Sequence, residues 1–347
     1  MRWAIGGVAA AAATATFLLW RRQRELEAER MTLEAVLAKA EADGMKTLIL
    51  PDGRLIEYHV AGPADGVPCL NMHGGALTAR IYGCEPLQPL YQKHKLRMIS
   101  PTRANCGLSD RSRPNATIRD YVDDALAVLN HETGSSTGSF FLTGYSLGGV
   151  VMMELLATCP ERVLAGLLQS SQMPPTTPGI SPGAKTFFQL KGAWFGDLLY
   201  EFMIRDVHNL LDACKIYPPS WKVACVKLQQ EHPSLYAQMN EEWMYRAKAR
   251  NKAFRGLFAM FNRMQIVGPG GLEEKLKRVH ATLIIAVDPD EMEGMEGLVQ
   301  WLRATLPNTS VFEFEGGKPS GFSHMHAIIP EIVDRQYAAM LGAARPS

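Results

Sequence analysis

The stretch Thr143-Gly144-Tyr145-Ser146-Leu147-Gly148-Gly149 constrains this chain more than any other, because it follows the apolar run Ser139-Phe140-Phe141-Leu142 and opens a helical pattern. It reads as a strand, a sharp turn and a helix. A serine at the apex of such a turn holds a strained backbone conformation, and the turn closes only if the residues two before and two after, Gly144 and Gly148, lack side chains. This is the G-x-S-x-G elbow. The turn lifts the hydroxyl clear of the sheet and starts a helix behind it, so N–H groups and a positive dipole end face any developing oxyanion. The same pentapeptide also fits an ordinary glycine-rich strand-to-helix turn, so the rest of the chain must decide between them.

With 347 residues, 47% of them hydrophobic, there is ample core for one large domain plus an insertion. A net charge of +1 without a clustered Lys/Arg face argues against a nucleic-acid partner. Cys69, Cys84, Cys106, Cys159, Cys214 and Cys225 are widely spaced with no C-x-x-C pair, which suits reduced, buried thiols better than a zinc site or a disulfide scaffold.

At the N-terminus, Trp3 to Trp20 carries no charge, is bracketed by tryptophans and runs into Arg21-Arg22-Gln23-Arg24. At about 1.5 Å per residue it just reaches the hydrocarbon thickness of a bilayer. The expectation is a single-pass anchor through residues 3–20, with a basic flank to residue 24 on the cytosolic side and the rest of the chain cytosolic. A cleaved signal or organelle presequence fits less well. The basic cluster occupies the cleavage region, and Glu25, Glu27 and Glu29 follow it. A charged linker helix is expected over 25–44, ending at Asp43-Gly44.

Two strand-like runs, Thr47–Leu50 and Arg54–Val60, flank Pro51-Asp52-Gly53 and read as a hairpin. Apolar strand runs then alternate with helical patterns: Cys69–Met72, Leu96–Ile99, Phe140–Leu142, Val163–Leu168, Leu283–Val287 and Val311–Phe314, with helices at Ile118–Leu129, Leu147–Thr158, Gly294–Leu306 and Ile329–Met340. Such alternation predicts an α/β fold, a mostly parallel, doubly wound sheet of about eight strands covered on both faces. Between the strands near Ser170 and Thr282 the sequence is mainly helical and too long for a loop. It predicts an inserted helical cap over 173–275, splitting the core into 45–172 and 276–347. The cap tryptophans Trp194, Trp221 and Trp243 are expected as packing, with some facing the cleft.

In this order the chain resembles the α/β-hydrolase fold superfamily over roughly residues 45 to 342. Asp52-Gly53-Arg54, Gly62 to Pro68 and Met72-His73-Gly74-Gly75 look like its opening hairpin and its His-Gly turn after the third strand. Pro101 to Asp110 is similar to its loop after the fourth strand, departing at Thr102 for a usual Asp and at Asn105 for a usual Gly. Arg119-Asp120-Tyr121, the elbow and Cys159-Pro160-Glu161-Arg162-Val163 complete the first half. The resemblance implies a triad in the order nucleophile, acid, histidine. Ser146 is the nucleophile. Val287-Asp288-Pro289-Asp290 lies where the family usually has Gly-x-x-Asp, making Asp290 the expected acid and Asp288 the alternative. Counting back from Pro330, the usual histidine position falls on Ser323, so His324 is the expected base with a one-residue shortening; His326, which aligns with a second frequent family histidine, is the alternative, its plainer reading being a helix-start or packing residue. The resemblance also implies oxyanion donors at the N–H groups of Gly75 and Leu147, with His73 structural.

His324-x-His326 lacks a carboxylate or cysteine at ligand spacing, and Asp288 to Gly294 misplaces the glycine and glutamate of a calcium loop, so no metal or cofactor is expected. The reading that results is a membrane-anchored serine hydrolase cleaving a lipophilic carboxylic ester, esterase- or lipase-like, through an acyl-enzyme. Its rival is a catalytically silent member of the fold that binds or scaffolds.

Overall fold

The computed structural model describes residues 33–344 apart from 76, 114, 172, 194, 195, 197–208, 214–218 and 249–253. The chain divides into two compact units, residues 1–43 and 44–347. In the first, α1 (Leu33–Ala42) closes on a Lys39–Asp43 ion pair of 3.1 Å. The expected anchor at residues 3–20 and the start of the linker helix lie outside the described residues. Among the described residues, no helix is long and apolar enough to cross a membrane.

The second unit is built on an eight-stranded sheet, ordered β1-β2-β4-β3-β5-β6-β7-β8. Strands β1 (Lys46–Ile49) and β2 (Leu55–Ala61) are the antiparallel hairpin, its turn held by Arg54 N–H donating to Asp52 Oδ1 at 3.2 Å. β2 also pairs antiparallel with β4 (Leu96–Pro101). The other pairings, among β4, β3 (Val67–Met72), β5 (Phe140–Tyr145), β6 (Val163–Gln169), β7 (Thr282–Ala286) and β8 (Thr309–Val311), are parallel.

Side chains alternate across the sheet, as the two-residue period of a strand requires. Leu70, Leu142, Leu168 and Ile285 join one apolar layer with α3 (Ile118–Thr133), α4 (Gly148–Thr158) and α11 (Pro289–Thr305). Cys69, Phe141, Leu167 and Ile284 join the other with α2 (Gln88–His94) and α12 (Pro330–Gly342). The five described cysteines, Cys69, Cys84, Cys106, Cys159 and Cys225, are buried.

Between β6 and β7 the described residues form α5 (Pro182–Gly192), α6 (Leu210–Ala213), α7 (Pro219–Glu231), α8 (Pro233–Lys248), α9 (Phe254–Arg263) and α10 (Leu272–Leu276). Phe188 on α5 meets Phe258 on α9 edge-on at 5.4 Å between ring centroids.

Two of the boundaries that differ from the expected ones flank the site. β8 ends at Val311, although Phe312 and Phe314 continue its apolar alternation; those rings pair with each other edge-on at 5.2 Å. α11 begins at Pro289 instead of Gly294, because Asp288 caps it and Pro289 brings a preset φ and no N–H to its first turn.

Candidate active site

The elbow has the geometry its glycines predict. Ser146 sits at φ +52, in the left-handed region that non-glycine residues rarely occupy. The strain is held by the frame: Ser146 N–H donates to Gln169 O on β6 at 2.9 Å, and Ser171 Oγ donates to Ser146 O at 2.7 Å. A Cβ on Gly148 would overlap the carbonyls of Met72 and His73, so this glycine lets the elbow close onto the turn after β3. The side chain of Ser146 is left partly accessible.

That turn is fixed from behind. Arg103 N–H donates to His73 Nε2 at 3.0 Å, so the ring proton sits on Nδ1, which donates to Gly74 O at 2.8 Å. With both nitrogens engaged and the ring fully buried, His73 is a structural residue. The buried Arg103 guanidinium donates to the carbonyl of His73 and, at 3.2 Å, to that of Gly74. Because a trans peptide opposes its C=O and N–H, turning Gly74 O toward Arg103 turns Gly75 N–H the other way. A Cβ on Gly75 would strike Leu147 Cδ1, which puts the two expected oxyanion residues side by side. Glu242 on α8 accepts from Thr78 N–H at 2.5 Å and ties the cap to the next residues of this loop.

The departures at 102 and 105 are absorbed locally. Asn105 takes the left-handed conformation at φ +68 that a glycine would hold, and its amide nitrogen donates to Ser112 Oγ at 2.9 Å and Tyr121 OH at 3.1 Å. Thr102 Oγ1 accepts from Ala79 N–H at 3.1 Å.

His324 lies in the buried 3-10 turn Ser323–Ile328, entered through Ser323 at φ +46. Its ring is 4.9 Å from that of Tyr145, the residue before the elbow serine, and Tyr145 OH donates to His324 O at 3.0 Å. Trp221 on α7 stacks on the imidazole at 4.5 Å and 18° between planes. One cap tryptophan therefore faces the site; the structure of Trp194 and the side chain of Trp243 fall outside what is described. Among the described residues no hydrogen bond joins the Ser146 hydroxyl to His324, and Tyr145 is what connects ring and elbow.

The carboxylate against His324 is that of Glu291. Its Oε1 lies 3.1 Å from His324 Nδ1 and its Oε2 accepts from Ser170 Oγ at 2.6 Å. Asp290, the expected acid, is exposed, and its backbone N–H donates to Asp288 Oδ1 at 3.1 Å. Asp288 is fully buried and committed as the cap of α11, and its Oδ2 accepts from Ser320 N–H at 3.1 Å and from Ser320 Oγ. Burial raises the Asp288 carboxyl above its usual range, against the pull of those donors. Burial also acts to raise Glu291, but the charge of His324, its hydrogen bond, Ser170 and His326 together outweigh it and hold Glu291 below its ordinary value. Glu291 escaped the family pattern, which points to an Asp. The signal that could have found it is Asp288-Pro289, which starts a helix at once and places 291 in its first turn.

His326 is fully buried, its Nε2 2.8 Å from Ser170 Oγ and its Nδ1 3.0 Å from Gln336 Nε2. Burial pushes it down to about 4, so the ring is neutral near pH 7.

A mostly parallel sheet with a strained strand-to-helix serine after β5 and a carboxylate–histidine pair carried by the helix start after β7 and the 3-10 turn after β8 defines the α/β-hydrolase class. The profile of the alpha/beta hydrolase family matches residues 72–331, and the chain belongs to that family. A putative non-heme haloperoxidase of Mycobacterium phage D29 is 29% identical over 123 residues, 35% of this chain and 42% of the relative. A non-heme chloroperoxidase of Streptomyces lividans is 30% identical over 131 residues, 38% and 46% of the two chains. The chain thus spans less than half the length of these relatives. Among solved structures, the esterase RhEst1 from Rhodococcus sp. ECU1013 superposes with a TM-score of 0.57 at 18% identity, over 87% of this chain and 100% of that one, a likeness of fold.

Proposed function

We propose that this hydrolase-fold protein is a serine hydrolase of carboxylic esters. Ser146 attacks the acyl carbonyl, His324 takes its proton through Nε2 and returns it to the leaving alkoxide, and water then releases the acid from the acyl-enzyme. Glu291, in place of the expected Asp290, accepts from His324 Nδ1–H and stabilises the imidazolium. The N–H groups of Leu147 and Gly75 receive the oxyanion. The observation that carries this reading is the strained Ser146 elbow next to Tyr145, which holds a histidine already paired to a carboxylate. Trp221 against the histidine favours a substrate with an apolar acyl or alcohol part.

The same proposal includes a bilayer anchor at residues 3–20, supported by the charge-free Trp3–Trp20 run and the arginines after it. Deleting residues 1–24 should release the protein from membranes, and persistent pelleting without aggregation would count against it.

A serine-directed fluorophosphonate tests the chemistry. Labelling of the wild type that vanishes in Ser146→Ala supports the acyl-enzyme route, whereas a folded wild type that stays unlabelled returns the silent binding protein. The haloperoxidase relatives favour one further assay. Hydrogen peroxide in place of water would attack the acyl-enzyme and leave as a peracid, which an ester-dependent halide oxidation assay would register.

A further inference from the structure

The Glu291 carboxylate is the meeting point of two hydrogen-bonded arms. One reaches His324; the other runs through Ser170 Oγ (2.6 Å), His326 (2.8 Å from Ser170 Oγ), Gln336 (3.0 Å from His326) and Gln169, whose Nε2 donates to Gln336 Oε1 at 2.6 Å. Apart from the half-buried Glu291, its members are buried, and Ser170 is held just past β6 at φ +41 by donating its N–H to Ala286 O at 2.8 Å. Strain of this kind persists where surrounding structure enforces it, and it clusters at working sites.

Chemistry fixes the direction of every bond in this arm. An ionised carboxylate only accepts, so the Ser170 hydroxyl donates to Glu291 Oε2. Ser170 Oγ must then accept from His326, which places the His326 proton on Nε2. A neutral ring protonated there presents a lone pair at Nδ1, so Gln336 donates to it, and Gln336 Oε1 is left to accept from Gln169. Reversing any link would set two acceptors or two donors face to face in a buried site.

We propose that Ser170 and His326 are positioning residues for the Glu291–His324 pair: the arm points the Ser170 hydroxyl at Glu291 Oε2 and so aims Oε1 at His324 Nδ1. This rests on the reading in which Ser146 and His324 perform acyl transfer. Ser170→Ala removes the donor and Ser170→Thr keeps it. Loss of one hydrogen bond to a buried charge should lower kcat on a p-nitrophenyl ester about tenfold or more with KM unchanged. The freed carboxylate is more basic toward His324, so the acid limb of kcat/KM should move to higher pH. Threonine should restore both.

The deciding measurement is long-range 1H–15N correlation on the full chain labelled with 15N-histidine. His326 should appear as the Nε2–H tautomer. The His324 Nδ1–H resonance should shift in Ser170→Ala and return in Ser170→Thr. A His326 protonated on Nδ1, or a His324 resonance and pH profile indifferent to Ser170→Ala, would overturn the proposal. Should the wild type hydrolyse no ester and take no fluorophosphonate, the acyl-transfer reading fails by itself, and the two resonances still decide the arm.

Discussion

Asp290 and Glu291 are neighbours on the first turn of α11, and a helix turns about 100° per residue, so only one of them can face His324. That residue is Glu291; Asp290 points to solvent. Replacing Glu291 by Gln keeps the shape but removes the charge that holds the histidine tautomer, and kcat/KM should fall about a thousandfold or more by analogy with other serine triads. Asp290→Asn, on an exposed side chain, should stay within about a factor of two. Ester hydrolysis by the two purified variants checks this, and comparable losses would remove Glu291 from the proposed triad. The sequence showed Ser146 clearly because a strained serine between glycines leaves few alternatives. Which carboxylate meets His324 was hidden because Asp288, Asp290 and Glu291 are all acceptable candidates, and their facing depends on where a helix begins.

At the level of elements, the turn after β3 and the elbow after β5 form one unit, with Gly148 and Gly75 allowing the contact and Arg103 setting the peptide planes from behind. Arg103→Lys keeps the charge but loses the fork that spans two carbonyls. If the Gly75 N–H is an oxyanion donor, kcat should drop about a hundredfold with little change in KM, since the interaction is made in the transition state. An unchanged kcat in a variant with native melting behaviour would detach Arg103 from that role. The buried strands were legible from sequence as continuous apolar runs, and the hairpin from Pro51-Asp52-Gly53. The end of β8 was not, because Phe312 and Phe314 keep a strand's alternation beyond Val311, the last residue in register with β7. Nor could composition tell which cap tryptophan meets the histidine; stacking of Trp221 on His324 is fixed by how α7 lies on the 3-10 turn and on the segment before it, where Lys227 Nζ donates to Ser320 O at 2.7 Å.

Over the whole folded unit, two buried titratable groups oppose each other in pH. His326 falls from 6.5 to about 4 because of burial, so between those values the unfolded chain binds a proton that the folded one refuses. Its contribution is complete above pH 6.5 and is lost as pH falls toward 4, a swing of about 3 kcal/mol. Glu57 on β2 is raised by burial from 4.5 to about 7, with Glu242 adding to the rise and the Leu108 N–H, at 2.9 Å from Oε2, resisting it. Here the folded chain holds a proton that the unfolded chain releases. That contribution is complete below pH 4.5 and is lost as pH rises toward 7, also by about 3 kcal/mol. Between pH 4.5 and 6.5 the two slopes nearly cancel in the wild type. Single variants should separate them. Relative to wild type, Glu57→Gln should lose stability progressively on acidification from pH 6.5 to 4.5, and His326→Gln should gain across the same interval. Urea midpoints at half-unit steps measure both, and only the pH dependence of the difference matters, since either substitution can also cost a fixed amount. A constant offset across the window for either variant would mean that its parent group does not titrate as its burial dictates.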